Sequence, residues 1–290
     1  MYDHWDVKFI LTGSSSFYLK NLFPESLSGR KIVFEVYPLT FSEFLRFKGN
    51  EKQVYPSFVE MAIKKNTISY EKYRLYYDEY IEFGGFPSVI LEENRDRKRI
   101  LLEEIFTSYF EKDAKSLADF KEMAKLRDLI LLLVPRVGQR IEIAKLAASL
   151  SLSRETVYNY LHFLEQTYFI ALLSKFSGSI DRQAAGSKKL FLCDSGIANI
   201  LGKLSVGQAF EQSVFQNLRT SHNLNFYNKE GKSEIDFIVD KKQALEVKIA
   251  PSLRDYDYLR RRAKNLNLEI SYIVSHDFVI GQNIILATDL

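Results

Sequence analysis

The segment 233–249 constrains the fold of this chain more than any other. Residues 233–239 alternate between polar and apolar side chains, and residues 244–249 do the same, which is the period-two spacing of β-strands. Residues 240–242, which lie between the two runs, suit the three-residue loop of a hairpin. The segment therefore predicts an antiparallel β-hairpin.

Two registers of this hairpin imply different chemistry. A loop of residues 240–242 places Asp236 opposite Glu246 with Cβ atoms roughly 5 Å apart, so that the two carboxylates repel unless a cation lies between them. A register shifted by two residues places Asp236 opposite Lys248 instead, as an ordinary cross-strand ion pair. The hairpin alone leaves both registers open.

A third acid, Glu211, is predicted to face the same place. In a helix over residues 207–220, at about 100° per residue, Glu211 falls within an apolar stripe that includes Val214. An acid in such a stripe needs a partner cation, hydrogen bonds or a metal ion. A helix packed on the hairpin would therefore bring Glu211 toward Asp236 and Glu246.

The order of a helical Glu, a strand Asp and a strand Glu-x-Lys resembles the PD-(D/E)XK nuclease fold. Glu211, Asp236, Glu246 and Lys248 match that motif residue by residue, and Ile235 stands where the name of the superfamily has proline. The resemblance implies that the three acids bind Mg²⁺ or Mn²⁺ and that the four residues catalyse phosphodiester hydrolysis. Many members of the superfamily have lost activity, so a non-catalytic docking module is the alternative.

The triplet Gly231-Lys232-Ser233 is similar to the end of a phosphate-binding loop, but its spacing argues against one. The P-loop pattern needs a glycine five residues earlier, and Phe226 occupies that position. The triplet therefore predicts a turn into the strand. No Walker A motif occurs elsewhere in the chain, so ATPase activity is not expected from these residues.

Three strings in the first third of the chain carry a second resemblance. They are "LTGSSS" at 11–16, "SLSGRKIVFEVYPLTFSEFL" at 26–45 and "YIEFGGFPSVI" at 80–90. Together they resemble the second half of a prokaryotic AAA-type ATPase family that carries a C-terminal domain of unknown function, and the resemblance spans nearly the whole chain.

That resemblance implies nucleotide-sensing roles near the start of the chain. Thr12 or Ser14 would lie near the γ-phosphate and Arg30 would contact phosphate, where a cation offsets transition-state charge. A surface arginine after a glycine turn is the alternative for Arg30. The family's first hundred or so residues are missing from this sequence, so we expect either a truncated chain that uses ATP only in its full-length context or a residual strand that serves another purpose.

The middle of the chain predicts a winged helix-turn-helix. An apolar helix ends near Pro135 and Gly138, and residues 140–170 then have the rhythm of helix, short turn and helix, with Ser151 or Ser153 as the N-cap. Residues 171–194 give two strands joined by a wing rich in glycine and serine.

The predicted fold class is a mixed, multidomain α/β protein. Its domains are an AAA-type remnant with a helical lid (1–118), the winged helix-turn-helix (119–195) and a PD-(D/E)XK-like mixed sheet flanked by helices (196–290).

Charge distribution predicts only weak contact with nucleic acid. The predicted recognition helix, 153–166, carries more acids than bases, whereas cations outnumber acids in the wing and in the predicted helix 252–266. Such cations contact phosphate rather than bases, so binding should be salt-dependent and nearly blind to sequence. Base reading from the recognition helix and docking of a protein partner are the alternatives. The predicted phosphate contacts are Lys175, Arg182, Lys188, Lys189, Arg260 and Arg261.

Composition sets broad limits. The 290 residues are 46% hydrophobic with a net charge of +3, which allows several packed cores and permits nucleic acid as a partner without requiring it. The single cysteine, Cys193, is expected to be a small buried apolar residue in a reducing compartment. No apolar run reaches the roughly 18 residues of a membrane span, so we expect a cytoplasmic protein. The sequence does not set its oligomeric state.

Overall fold

The computed structural model of the chain describes residues 10, 12–13, 32, 34–114, 123–177, 179, 186–229 and 233–290. Ser14, Arg30 and Arg182, for which the sequence predicts roles, lie outside these residues. Thr12 is described and is exposed.

The first described part of the chain is helical. Its helices are α1 (Phe41–Phe47), α2 (Phe58–Lys64), α3 (Thr67–Phe83), α4 (Pro87–Leu91) and α5 (Arg95–Ser108), followed by a π-helical turn at Tyr109–Ala114. Thr40 begins α1 with a capping box, in which its side chain and that of Glu43 each bind the other's backbone N–H. The α3 helix buries a tyrosine-rich stripe that includes Tyr73, Tyr77 and Tyr80, at the spacing of one helix face.

A buried carboxylate joins this helical part to the rest of the chain. Asp194 Oδ1 accepts a hydrogen bond from the Gly196 N–H at 2.8 Å, and Asp194 Oδ2 accepts from the Gly85 N–H at 2.7 Å and from Gln216 Nε2 at 3.0 Å. Gly84 has a φ of +75°, and a Cβ there would lie 1.9 Å from Asp194 Oδ1. The two glycines of "FGGFP" therefore allow the chain to approach Asp194 closely.

The middle of the chain contains three helices followed by a pair of strands. The elements are α6 (Met123–Leu133), a 3₁₀ turn at Val134–Arg136, α7 (Ile143–Leu150), α8 (Arg154–Gln166), β1 (Ile170–Ser174) and β2 (Lys188–Leu192). Ser153 caps α8, since its side chain accepts from the Thr156 N–H. The strands β1 and β2 pair antiparallel. The residues between them, where the wing was predicted, are described only in part.

The C-terminal part is a mixed five-stranded sheet with helices on both faces. It contains α9 (Ser195–Leu201), α10 (Val206–Leu218), β3 (Leu224–Lys229), β4 (Ser233–Val239), β5 (Gln243–Lys248), α11 (Leu253–Asn265), β6 (Ile270–Ser275), β7 (Ile284–Leu286) and a 3₁₀ turn at Ala287–Asp289. The strands lie in the order β3-β4-β5-β6-β7. Strands β3, β4 and β5 pair antiparallel, and β5, β6 and β7 pair parallel.

The β4–β5 hairpin adopts the first of the two predicted registers. Val239 pairs with Gln243 and Phe237 pairs with Leu245 across the loop 240–242. The same register continued by one residue places Asp236 opposite Glu246. The alternative register, which would pair Asp236 with a lysine, is therefore wrong.

A β-bulge breaks the strict alternation predicted for β4. Asn225 of β3 pairs with Ile238, but Tyr227 pairs with Ile235, so β4 contains one extra residue between these two pairs. Such a bulge puts two consecutive side chains on the same face. Asp236 therefore points toward α10 together with Phe237, whereas the strict alternation predicted for this strand would place it on the face of Ile238.

One large core runs through all three predicted domains. It includes Phe44 of α1, Leu161 of α8, Phe210 of α10 and Ile285 of β7. A smaller cluster lies between the sheet and α11. The described architecture is mixed α/β, and none of its helices combines the length and the apolar character that crossing a membrane requires.

Candidate acidic site

The ammonium group of Lys189 lies at the centre of a cluster of acids. Lys189 Nζ is 2.6 Å from Glu211 Oε1, 3.4 Å from Asp236 Oδ1 and 3.6 Å from Glu234 Oε1. The four residues come from three separate elements, because Lys189 belongs to β2, Glu211 to α10 and the other two acids to β4. The predicted approach of Glu211 to Asp236 thus occurs around a lysine.

Lys189 was predicted to contact nucleic acid, and its burial does not agree with that role. The residue is only 1% exposed, whereas its neighbour Lys188 is half-buried and donates to Ser174 Oγ at 2.7 Å. Successive residues of a strand point to opposite faces. Lys189 therefore shares the inward face of β2 with Phe191, which the wing prediction did not consider.

Asp236 lies where the ladder between β4 and β5 stops. The last paired residues are Phe237 and Leu245, and beyond them Asp236 Oδ2 accepts a hydrogen bond from the Val247 N–H at 2.9 Å. The carboxylate thereby takes the place of a backbone acceptor. The other oxygen, Oδ1, faces Lys189. The Asp236 side chain therefore contacts both β5 and the lysine on the α10 side of the sheet.

Glu246 forms the second half of the site. Glu246 is 8% exposed. Its Oε1 lies 3.2 Å from Lys248 Nζ, and its Oε2 lies 3.5 Å from Arg262 Nη1. Within the described residues, Glu246 Oε2 is buried without a hydrogen-bond partner. Such an oxygen is costly unless a further cation or donor reaches it.

Burial and, after it, the charge of Asp236 dominate the electrostatics of the site. Burial and the Asp236 carboxylate raise the pKa of Glu246 to about 7, although Lys248 opposes the shift. Burial and Asp236 also raise the pKa of Glu211 to about 8, against the effect of Lys189. Burial disfavours the charge on Lys189, but Asp236 and Glu211 outweigh it and hold the pKa of Lys189 above its ordinary value. The site thus carries more negative charge than its cations balance.

A glycine from the middle of the chain lines the same site. Gly138 has a φ of +73°, and a Cβ on it would lie 2.9 Å from Glu211 Oε2. Its N–H donates to the Leu190 carbonyl oxygen of β2 at 2.8 Å. Gly138 and Lys189 both lie next to Glu211. The part of the chain that precedes the five-stranded sheet therefore forms one wall of the acidic site.

The donor set fits a divalent ion only in part. Asp236 and Glu246 supply carboxylate oxygens, which Mg²⁺ and Mn²⁺ prefer, and Glu246 Oε2 lacks a hydrogen bond. Glu211, however, is already paired with Lys189. Across the described ranges no group of three or more His, Cys, Asp or Glu side chains is arranged to hold a metal ion.

Those of the remaining predicted cations that the structure describes lie at the surface or near it. Arg260 and Arg261 are exposed on α11, while Arg262 turns inward and donates to the Glu234 carbonyl oxygen at 2.6 Å. Lys175 is half-buried and forms a backbone bridge to Phe226 of β3. Tyr158, Asn159 and His162 form part of the exposed face of α8.

Sequence reasoning missed Glu234, Arg262 and the central role of Lys189. The signal for Arg262 was its place in a basic helix next to the Glu-x-Lys strand. The signal for Lys189 was the apolar character of both faces of β2, since a strand buried on two faces must also bury one of its two adjacent lysines.

Family models match two parts of the chain. Residues 1–45 match a model described as an AAA domain, and residues 74–208 match a model described as a domain of unknown function, DUF8612. The first match contains two of the strings that carried the predicted resemblance, so a relation to AAA-type ATPases is supported at the start of the chain. Both matches end before the strands that hold Asp236 and Glu246. No solved structure matches the chain.

The similar proteins are themselves uncharacterised. Uncharacterized protein MJ1544 of Methanocaldococcus jannaschii is 32% identical over 275 residues, which cover 84% of this chain and 58% of the relative. An uncharacterized protein of Haemophilus influenzae is 29% identical over 241 residues, covering 80% and 56%. A second protein of M. jannaschii, MJ1637, is 25% identical over 204 residues, covering 66% and 41%. The chain thus spans about half the length of the curated relatives it matches.

Proposed function

We propose that this chain is the C-terminal portion of an AAA-type ATPase and that its last domain is a PD-(D/E)XK nuclease-like domain that cleaves phosphodiester bonds with a divalent ion. The observation that carries the proposal is the placement of Asp236 opposite Glu246 at the end of their ladder, with Glu246 Oε2 buried and without a hydrogen bond. Two carboxylates in that arrangement favour a hard cation between them.

The topology supports the proposal. Helix α10 is followed by the antiparallel strands β3, β4 and β5, then by α11 and by β6, which pairs parallel to β5. The four motif residues fall on α10, β4 and β5 of this series, as the resemblance implies. The nuclease-like assignment therefore agrees with both the order of the elements and the positions of the motif residues.

Each residue of the site has a distinct role in this proposal. Asp236 and Glu246 hold the ion, with Glu211 as a third carboxylate on α10. Lys248 is 3.2 Å from Glu246 Oε1 and its side chain is 40% exposed, so its ammonium group can reach a phosphate oxygen while Glu246 orients it. The bound ion would act as a Lewis acid and lower the pKa of a water.

The nucleic acid would approach over the basic surface next to the site. Arg260 and Arg261 are exposed on α11, whose inner neighbour Arg262 reaches Glu246. The strand pair β1–β2 with α7 and α8 would act as a winged helix-turn-helix that positions the duplex or single strand through phosphate contacts.

Metal binding and cleavage can be measured separately. We expect the chain to bind Mn²⁺ in titration calorimetry and to cut a fluorescent DNA or RNA strand, and we expect Asp236→Asn and Glu246→Ala to lose both properties. Lys248→Met should retain Mn²⁺ binding but lose cleavage. Asp257→Asn, an exposed change on α11, serves as the control. Mn²⁺ binding that is unchanged in Glu246→Ala would contradict the proposed site.

A second candidate function is a non-catalytic docking module of an ATP-driven remodelling protein. The buried ion pair of Lys189 with Glu211 favours it, because a built-in cation already satisfies part of the acidic cluster. This candidate predicts that the wild-type chain melts at the same temperature with chelator and with millimolar Mn²⁺. A melting temperature that rises with Mn²⁺ only while Glu246 is present would contradict it.

A further inference from the structure

Lys189 reaches the acidic site from outside the nuclease-like series of elements. It is carried by β2, where it pairs with Leu173 of β1, and β2 precedes α10 in the chain. The sheet that contains Asp236 and Glu246 does not include β2. The central cation of the site is therefore supplied by the neighbouring strand pair.

The position of the ammonium group coincides with that expected for a metal ion. Lys189 Nζ lies 2.6 Å from Glu211 Oε1 and 3.4 Å from Asp236 Oδ1, and these are two of the three carboxylates proposed to bind the ion. Lys189 is only 1% exposed, so in this structure its ammonium group lies among these carboxylates and not in bulk water. The ammonium group also lies near aromatic rings, since Nζ is 5.8 Å from the centroid of Phe237.

The charge balance of the site argues against simultaneous occupation. In the described residues, four carboxylates (Glu211, Glu234, Asp236 and Glu246) lie within 4 Å of three cations (Lys189, Lys248 and Arg262). One negative charge remains when all are ionised. Removal of the Lys189 charge would leave two, which a divalent ion balances, whereas an ion beside Lys189 would face a like charge at short range.

We propose that Lys189 is a built-in competitor of the divalent ion, so that the ammonium group and the metal are alternative occupants of Glu211 and Asp236. This inference rests on the proposed metal site. The ion gains its full set of carboxylates only when Lys189 withdraws from them. Metal binding is thereby coupled to the contact between the β1–β2 strand pair and the five-stranded sheet.

The test compares Lys189→Met with Lys188→Met, a matched change at the next residue on the opposite face of β2. Methionine keeps the length and the apolar stem of the side chain but removes its charge. We expect Lys189→Met to bind Mn²⁺ at least tenfold more tightly than the wild type in titration calorimetry, and Lys188→Met to bind it unchanged. The gain should disappear when Glu246→Ala is added.

A second comparison protects the test against misfolding. In the Glu211→Gln background, Lys189→Met removes the ammonium group and its closest charged partner together. The double variant should bind Mn²⁺ more tightly than Glu211→Gln alone. If Lys189→Met unfolds in chelator, recovery of its unfolding transition by Mn²⁺ but not by an equal ionic strength of NaCl also supports the inference.

The outcomes separate this inference from the proposed function. Wild-type binding of Mn²⁺ that Lys189→Met does not strengthen, in either background, overturns the competitor role and leaves the metal site standing. Absence of Mn²⁺ binding in the wild type and in all Lys189 variants overturns both.

Discussion

Replacement of Asp236 by asparagine should flatten the loss of stability that we expect for the metal-free protein between about pH 5 and pH 8. Asp236 is the common neighbour of Glu211 and Glu246, and its charge is one cause of the raised pKa of each. Asparagine can still accept the hydrogen bond from the Val247 N–H through its amide oxygen. The substitution therefore removes a charge while the contact between β4 and β5 is kept.

The sign and size of the effect follow from Glu246. Its pKa rises on folding from 4.5 to about 7, so the native state binds this proton more tightly, and the resulting stabilisation at low pH is lost as the pH rises through about 7. The whole shift corresponds to roughly 3 kcal/mol at 1.36 kcal/mol per pH unit. Burial is the larger cause and Asp236 the next, so we expect Asp236→Asn to remove about 1 kcal/mol of the pH dependence.

Denaturant unfolding in the presence of chelator measures this difference directly. The free energy of unfolding would be determined at several pH values for the wild type, for Asp236→Asn and for the exposed control Asp257→Asn. The gap between the wild type and Asp236→Asn should change with pH in favour of the variant as the pH rises. A gap that stays constant across the range would show that Asp236 is not coupled to the two glutamates, and the electrostatic account of the site would be wrong.

Three further predictions concern the framework and the surface. Asp194→Asn should destabilise the protein by about 3 kcal/mol in denaturant unfolding. Both carboxylate oxygens accept hydrogen bonds from buried N–H groups, and the NH₂ group of asparagine cannot accept at either position. A loss below about 1 kcal/mol would contradict this. Gly138→Ala should cost about 1–2 kcal/mol in the same assay, because of its left-handed backbone and the approach of Glu211, and full stability would contradict the close packing. Charge reversal of Arg260 and Arg261 should weaken nucleic-acid binding, measured by fluorescence anisotropy, and reduce its salt dependence, whereas a substitution on the exposed face of α8 should not. Equal effects of both changes would favour base reading by α8.

The parts of the fold that the sequence predicted correctly are governed by local rules. The hairpin and its three-residue loop were predicted from the alternation of residues, although that alternation left two registers open until the structure showed the pairing. The helix predicted at 252–266 is α11, and its capping box at Ser252 and Asp255 is a local signal as well. Neither inference required knowledge of a distant partner.

The features that were missed depend on contacts between distant segments. The bulge in β4 is a shift in its register with β3. No residue within β4 alone indicates the position of the extra residue. The insertion of Lys189 among the acids depends on how β2 packs against α10 and β4, which both lie later in the chain. Asp194 was likewise missed, because its partner Gly85 lies 109 residues away.

The position of Glu211 depends on several parts of the chain at once. Helix α10 is buried along most of its length from Ala209 to Leu218, and its polar side chains bind other segments. Asn217 Oδ1 accepts from the Phe41 N–H of α1 at 2.7 Å, and Gln212 exchanges two hydrogen bonds with the backbone of Leu192 in β2. The helix that carries Glu211 is therefore oriented by elements outside the predicted nuclease-like domain.

This dependence gives a last prediction for the residues 196–290 expressed alone. That segment lacks β2, the α1 contact and Lys189, and it would expose the apolar side chains with which α10 contacts the rest of the core, Phe210 and Phe215 among them. Exposure of large apolar side chains removes about 1.5–3 kcal/mol each, which is a large part of the 5–15 kcal/mol that stabilises a typical domain. We expect the segment to show no cooperative thermal transition by circular dichroism, whereas the whole chain shows one. A cooperative transition at the same temperature as that of the whole chain would mean that the acidic site is built by residues 196–290 alone, and that the contribution of β2 to its geometry is negligible.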